Sequence, residues 1–260
     1  MSLLRRIVPL VIAAAALAGP ARAQGLYWET DNTGGPGGPQ TARFWALPKM
    51  MKIAGSDGHT VIVRSDQDKL ISVDEKKKTY WEMSFTQLEQ MSKQMHAQME
   101  SAMAQMKDKM KDMPPEQRAM VEKMMGQMQQ GKEQPDKAPN VDVKATGKTK
   151  EIAGYTSEEF VATENGKPIL TAWTTEEVTA FKPMRGDFIA LQKRLNETNR
   201  AFRSGLAEAY TKIEGFPMET EMGGVKSVVT KVESRPLQAS EFEPPPGFKQ
   251  EAPPAPPQKP

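Results

Sequence analysis

The chain has 260 residues, 38% of them hydrophobic, with 35 basic and 33 acidic side chains and a formal charge of +2. So even a balance gives no electrostatic reason to expect nucleic acid as a partner, and the absence of cysteine excludes disulfides, leaving stability to a hydrophobic core. With two histidines and no H-E-x-x-H, P-loop, G-x-S-x-G or Rossmann glycine pattern, the chain reads as a binding protein rather than an enzyme, with no cofactor.

Residues 1–23 read as a signal peptide. Arg5 and Arg6 form a short positive start, Ile7 to Gly19 is an apolar run too short to span a bilayer comfortably, and Ala21-Arg22-Ala23 fits a small-x-small cleavage site. The expected location is periplasmic or secreted, with a chain starting near Gln24. Removal takes away three arginines and no acid, leaving 32 basic and 33 acidic residues, a charge of −1. No later apolar run is long enough for an integral membrane span.

Leu26 to Thr30 reads as an opening strand, and the glycine-rich Asn32 to Pro39 as a loop. Thr41 to Leu47, Met50 to Ala54, Thr60 to Arg64, Lys69 to Val73 and Lys78 to Met83 follow as short strands between tight turns, the pattern of an antiparallel meander. The alternation is too imperfect to say which parity faces inward.

The period changes at Ser84. Ser84-Phe85-Thr86-Gln87 fits a capping box, and Phe85, Leu88, Met91 and Met95 continue at helical spacing. The helix reads to about Asp112. Pro114 and Pro115 end it and suit the first turn of a second helix, which stops near Gly131. Eleven of the eighteen methionines lie here, at Met91, Met95, Met99, Met103, Met106, Met110, Met113, Met120, Met124, Met125 and Met128. Residues 84–131 therefore read as a methionine-rich helical hairpin inserted between strands.

Strands resume at Val141. Thr156 to Thr163 and Lys167 to Thr174 flank Asn165-Gly166, a strong hairpin dipeptide. Asp187 to Ile213 reads as one further helix, weakened by Gly205. Phe216 to Met222 and Val225 to Val232 form a last hairpin across Gly223-Gly224. From Pro244 the chain has eight prolines in seventeen residues and reads as disordered or extended, so the domain is bounded at 24–249 with a proline-rich tail at 250–260.

Three stretches carry a resemblance. Residues 49–83 end in a Tyr80-Trp81-Glu82-Met83 signature. Residues 145–178 hold Gly147, Ile152, Gly154, Tyr155, Trp173 and Thr174 in a spaced pattern. Residues 214–222 and 228–248 close on Phe242, Pro245, Gly247 and Phe248. Together they resemble a bacterial family of exported domains of unknown function, related in fold to the LolA/LolB-type periplasmic lipoprotein carriers. The resemblance implies an α+β fold, a curved antiparallel half-barrel with helices over its concave face, and no catalytic residues. Carriers of that type hold acyl chains in the hollow.

The methionine stripe leaves several readings open. It can be ordinary packing of an amphipathic helix. It can be a reversible apolar surface, because unbranched thioethers re-pack around varied shapes where leucine would be more rigid. Soft thioethers also suit Cu(I), with His96, Met99 and Met103 on one helical face, and exposed methionines scavenge oxidants. The leading expectation is a lipid, acyl chain or apolar peptide held between the sheet and a lid made by Met91, Met95, Met99, Met103, Met106, Met110, Met120, Met124 and Met128. Trp45, Trp81 and Trp173, all in strand-like segments, are the expected wall of that hollow.

Overall fold

The computed structural model describes residues 23–35, 37–109, 140–198 and 205–254. The first meander is β1 (Ala23–Thr33), β2 (Gln40–Leu47), β3 (Met50–Gly55), β4 (His59–Arg64), β5 (Lys69–Asp74) and β6 (Thr79–Ser84). Helix α1 (Phe85–Lys109) leaves from the end of β6. The second meander is β7 (Val141–Ile152), β8 (Tyr155–Glu164), β9 (Lys167–Thr175), β10 (Phe216–Met222) and β11 (Val225–Leu237), with α2 (Arg185–Thr198) and α3 (Leu206–Lys212) between β9 and β10. A two-residue strand, β12 (Lys249–Gln250), follows.

All twelve strands form one open, curved sheet in the order β12-β6-β5-β4-β3-β2-β1-β11-β10-β9-β8-β7. Every pairing is antiparallel except β12 with β6. The fold is therefore α+β, as expected. The sheet bends at register shifts in β1–β11 at Glu29/Thr30, in β10 at Pro217/Glu219 and in β7 at Ala145/Thr149, where extra residues increase the local twist. The hairpin turns form as their sequences require: Asn165 and Gly166 have φ of 50° and 80°, and Gly223 and Gly224 have 57° and 80°, the left-handed pair that a two-residue turn needs.

Each side of the sheet is covered in part. On one, Trp28 stacks on Phe44 with ring centroids 4.7 Å apart, and Phe216 meets Trp28 edge-on at 5.4 Å. The 3-10 turn Thr179–Met184 and α2 lie against this cluster through Phe181, Met184 and Phe188. Helix α3 covers β7 to β9 through Ala209 and Ile213, packed with Val141, Ala162 and Leu170. Arg185 holds α3 in place by donating to the carbonyls of Thr211 and Ile213 at its C-terminal end, 3.0 and 2.9 Å away.

One expectation is corrected, and another, disordered or extended from Pro244, is narrowed to extended at its start. The single helix over Asp187 to Ile213 is two helices. Gly205 is the N-cap of α3, and a Cβ there would lie 2.1 Å from the Val141 Cγ2. Only glycine allows so close an approach. The proline-rich stretch from Pro244 is not free at its start. Phe242 is fully buried in a cluster with Leu47, Ile62, Ile71, Val73 and Leu237, with Phe248 packed against it. Glu243 pairs with the buried Arg64, and Lys249 and Gln250 run beside Thr79 and Tyr80. Proline prevents regular ladder pairing, but phenylalanines spaced between prolines still bury apolar area.

Replacing Phe242 with alanine should therefore destabilise the whole protein by about 3–5 kcal/mol, the usual cost of emptying a buried phenyl site. A urea denaturation curve with an unchanged midpoint would show this segment to be dispensable to the core.

Candidate functional site

The base of the methionine arm is built by local and distant groups together. The capping box forms as written: the Ser84 amide donates to the Gln87 Oε1 at 2.9 Å, and the Gln87 amide to the Ser84 Oγ at 3.0 Å. Phe85 is fully buried with Val63 and Leu191. Arg194 of α2 holds its guanidinium 4.5 Å from the Phe85 ring centroid and pairs with Asp68 at 2.5 Å and Glu89 at 3.7 Å. Thr86 donates to the other Asp68 oxygen at 3.2 Å. The β4–β5 turn, the start of α1 and the end of α2 thus meet at one charge-assisted junction.

Beyond this junction α1 leaves the body of the fold. Its principal contacts are with β6 and α2. Met91 is half-buried, as is Met103, whereas Met95, Met99 and Met106 are 42%, 48% and 43% exposed. From Lys93 to Met106 every described side chain except Met103 is exposed. Successive residues turn by about 100°, so these five methionines share a face with Phe85 and Leu88, and the face buried at the base continues outward into solvent. Met110, Met120, Met124 and Met128 lie outside the described residues, as does the expected second helix.

The trough beneath α2 is filled by the protein itself. Trp28, Ala46, Met51, Val63, Phe181, Met184, Phe188 and Leu191 surround a residual space of about 30 Å³. That holds a water or two and not an acyl chain. The Lys49 amide, donating to Asp187 at 2.9 Å, ties the β2–β3 turn to α2 beside it.

The three expected wall tryptophans do not converge, and none lines this space. Cross-strand register puts Trp81 in the row Trp28, Phe44, Ile53, Val61, Ser72, Trp81, but at the far strand. Trp45 follows Phe44 and so faces the other side, with the Tyr27 ring 5.2 Å away. Trp173 is in the second meander. It lies in register between Glu159 and Glu219, with the Lys150 ammonium 4.1 Å over its ring. Trp28, placed in a strand by its sequence but not chosen, is the tryptophan at the trough; only the register across β1 and β2 distinguishes it.

Glu159 and Glu219 are the carboxylate pair that sequence adjacency could not indicate. Hydrogen bonds from Lys148 and Thr146, at 2.9 and 2.7 Å, hold the Glu159 carboxyl below its usual range. Burial pushes Glu219 up, but Lys150 and Lys226, at 2.7 and 2.9 Å, outweigh it and keep it low. Both are set to stay ionised, which suits ion pairing and not proton donation. Among the described residues no group of three or more His, Asp or Glu side chains is arranged to hold a metal ion. The His96 side chain of the proposed thioether site lies outside the described residues.

A carboxyl held low in the folded state adds stability above its unfolded pKa, and loses it as the pH falls through the lower folded value. Changing Glu219 to glutamine should therefore lower stability at pH 7 and flatten the loss of stability below about pH 4.3, the ordinary glutamate value. Parallel pH profiles of the variant and the parent would contradict the assignment.

No curated protein matches this chain. Two solved structures of PNGF-II, in space groups P21 and C2, are 10% identical to it with a TM-score of 0.36; the match covers 88% of this chain. It covers 32% and 31% of theirs, so the chain spans about a third of their length. No helix among the described residues is long and apolar enough to cross a membrane. Residues 85–248, more than half of the chain, match the family described as Domain of unknown function (DUF4412); the match opens at the buried Phe85 and closes at Phe248, and the protein belongs to that family.

Proposed function

We propose that this is an exported, non-catalytic binding protein that presents the methionine face of α1 to an apolar ligand, whether a lipid, an acyl chain or an apolar peptide segment. The observation that carries the reading is the exposure of Met95, Met99 and Met106 on the face that Phe85 anchors at the other end. Solvent-facing helix positions ordinarily carry polar residues. A row of thioethers there is polarizable, unbranched and able to re-pack around varied shapes. In this reading the curved sheet is a half-barrel of the lipoprotein-carrier type whose hollow is occupied by its own 3-10 turn and α2. The ligand then sits on the arm, not in an enclosed trough.

The helix supports such a role mechanically. Its twenty-five residues extend about 37 Å at 1.5 Å per residue. Nucleating a helix is its unfavourable step, and the cap and the Arg194 junction hold the first turn in place. Full burial of one methionine is worth about 1.5–3 kcal/mol, so covering the exposed half of three supplies about 2–4 kcal/mol, part of what a ligand contact needs, and further apolar area along the same face must supply the remainder.

Replacing Met95, Met99 and Met106 together with glutamine should leave the unfolding midpoint nearly unchanged, because all three face solvent. It should weaken binding of N-phenyl-1-naphthylamine, an uncharged apolar fluorescent probe, at least tenfold. If the variant binds the probe as well as the parent, the methionine face is not the binding surface.

Export is part of the same proposal. Cleavage after Ala23 would remove one residue from the start of β1 and leave Gln24 paired opposite Pro236. The intact mass of protein recovered from the periplasm should correspond to residues 24–260; recovery of the full-length mass from the cytoplasm alone would overturn it.

A further inference from the structure

The side of the sheet opposite α2 carries a patch that the apolar-ligand reading does not use. Four adjacent strands contribute to it. In register, β11 supplies Lys231, Glu233 and Arg235, β1 supplies Glu29 and Tyr27, β2 supplies Arg43 and Trp45, and β3 supplies Lys52. Two rings lie at its centre, Tyr27 and Trp45, tilted at 56° to each other. Four cations surround them. The Arg235 guanidinium lies 4.1 Å and the Lys231 ammonium 5.8 Å from the Tyr27 centroid. Lys52 lies 5.0 Å and Arg43 5.9 Å from Trp45.

The charges of this patch do not cancel. Glu233 pairs with Lys231 at 2.9 Å, and Glu29 accepts the Tyr27 hydroxyl at 2.6 Å. Among the described residues Arg43, Lys52 and Arg235 make no ion pair; each is set against an aromatic ring instead. Elsewhere the fold pairs its partly buried cations closely, as Arg64 does with Asp66 and Lys150 with Glu219. Among the described residues the Arg235 Nε is buried and meets no acceptor.

We propose that Arg43, Lys52 and Arg235 form a binding surface for an extended ligand carrying two or more phosphates. Even with the Glu29 carboxylate counted, four cations face two carboxylates, a net charge of +2 that one ligand carboxylate would not neutralise. Guanidinium groups match phosphate oxygens in a two-pronged geometry. Strands lie about 4.8 Å apart, so the span from β11 across β1 and β2 to β3 is about 14 Å. A single phosphate reaches only part of that width; a chain of linked phosphates reaches all of it. Lys52 and Arg235 are half-buried against their rings, which strengthens an anion contact there, while Arg43 stands exposed beside them.

Calorimetric titration with pyrophosphate and with inorganic phosphate, and sedimentation with phosphatidylcholine vesicles with and without phosphatidylglycerol, test the assignment. The expected result is pyrophosphate binding tighter than phosphate, weakened by salt, and at least tenfold weaker after Arg43→Gln with Lys52→Gln, both tolerated because neither residue is buried. Arg235→Gln alone should act in the same direction. Binding only to phosphatidylglycerol vesicles, lost in the same variants, would assign the phosphates to lipid headgroups. No binding to any of these probes, or binding that the substitutions leave intact, would overturn the proposal. Because the methionine face is untouched in these variants, failure here leaves the apolar-ligand reading standing, and the converse holds.

Discussion

The pairing of β1 with β11 is the constraint on which the rest of the molecule depends. Residues 23–33 meet residues 226–237 along the whole length of the opening strand, joining groups as far apart in sequence as Gln24 and Ser234. Without it the chain would be two meanders of six and five strands, each with an open edge and half a core. With it, Leu26 and Trp28 from the first meander pack on Phe216, Met218 and Val229 from the second, and Phe181 and Met184 close over the seam. The loop closed by this pairing contains nearly the whole domain, so its entropy cost is met only when the apolar cluster forms at the same time.

That central seam leaves the two outer regions free to specialise. In the first meander, the β4–β5 turn carries Asp68, which receives Arg194 and Thr86 and so orients the first turn of α1. The arm is therefore attached through a junction of charge and cation–π contacts and not through a broad apolar interface. Such a junction fixes direction at one end while leaving the methionine face beyond it uncovered. In the second meander, lysines of β7 and β11 neutralise Glu159 and Glu219 on either side of Trp173. The lysines and the register shift of β7 also blunt an edge strand that would otherwise invite pairing with another chain.

The two sides of the sheet differ in kind. The side under α2 is filled, with apolar side chains of the protein's own 3-10 turn and helix taking the volume that a ligand would need. The other side is closed by the C-terminal segment near Ile62 and Ile71 but carries cations on aromatic rings near Tyr27 and Trp45. A packed interior beneath one helix, a thioether face on another and a charged aromatic patch behind them place stability in the interior and leave the two surfaces proposed for binding outside it.

What the sequence determined by itself is what a few neighbouring residues decide. Asn165-Gly166 and Gly223-Gly224 impose left-handed turns because few other residues tolerate those angles, and Ser84 with Gln87 caps α1 because each reaches the other's amide within one turn. The strand positions and the start of α1 followed from such signals, as did the shared face of the five described methionines. Tertiary structure decided which side each strand residue faces, and so separated Trp45 from Trp28. It also buried Phe242 and packed the half-buried Phe248 beside it despite their proline-rich setting, divided the helix at Gly205 against Val141, and brought Arg194 to Asp68 and Glu219 beside Trp173. These outcomes depend on partners distant in the chain and on bulges that shift register, and neither leaves a mark in the residues around them.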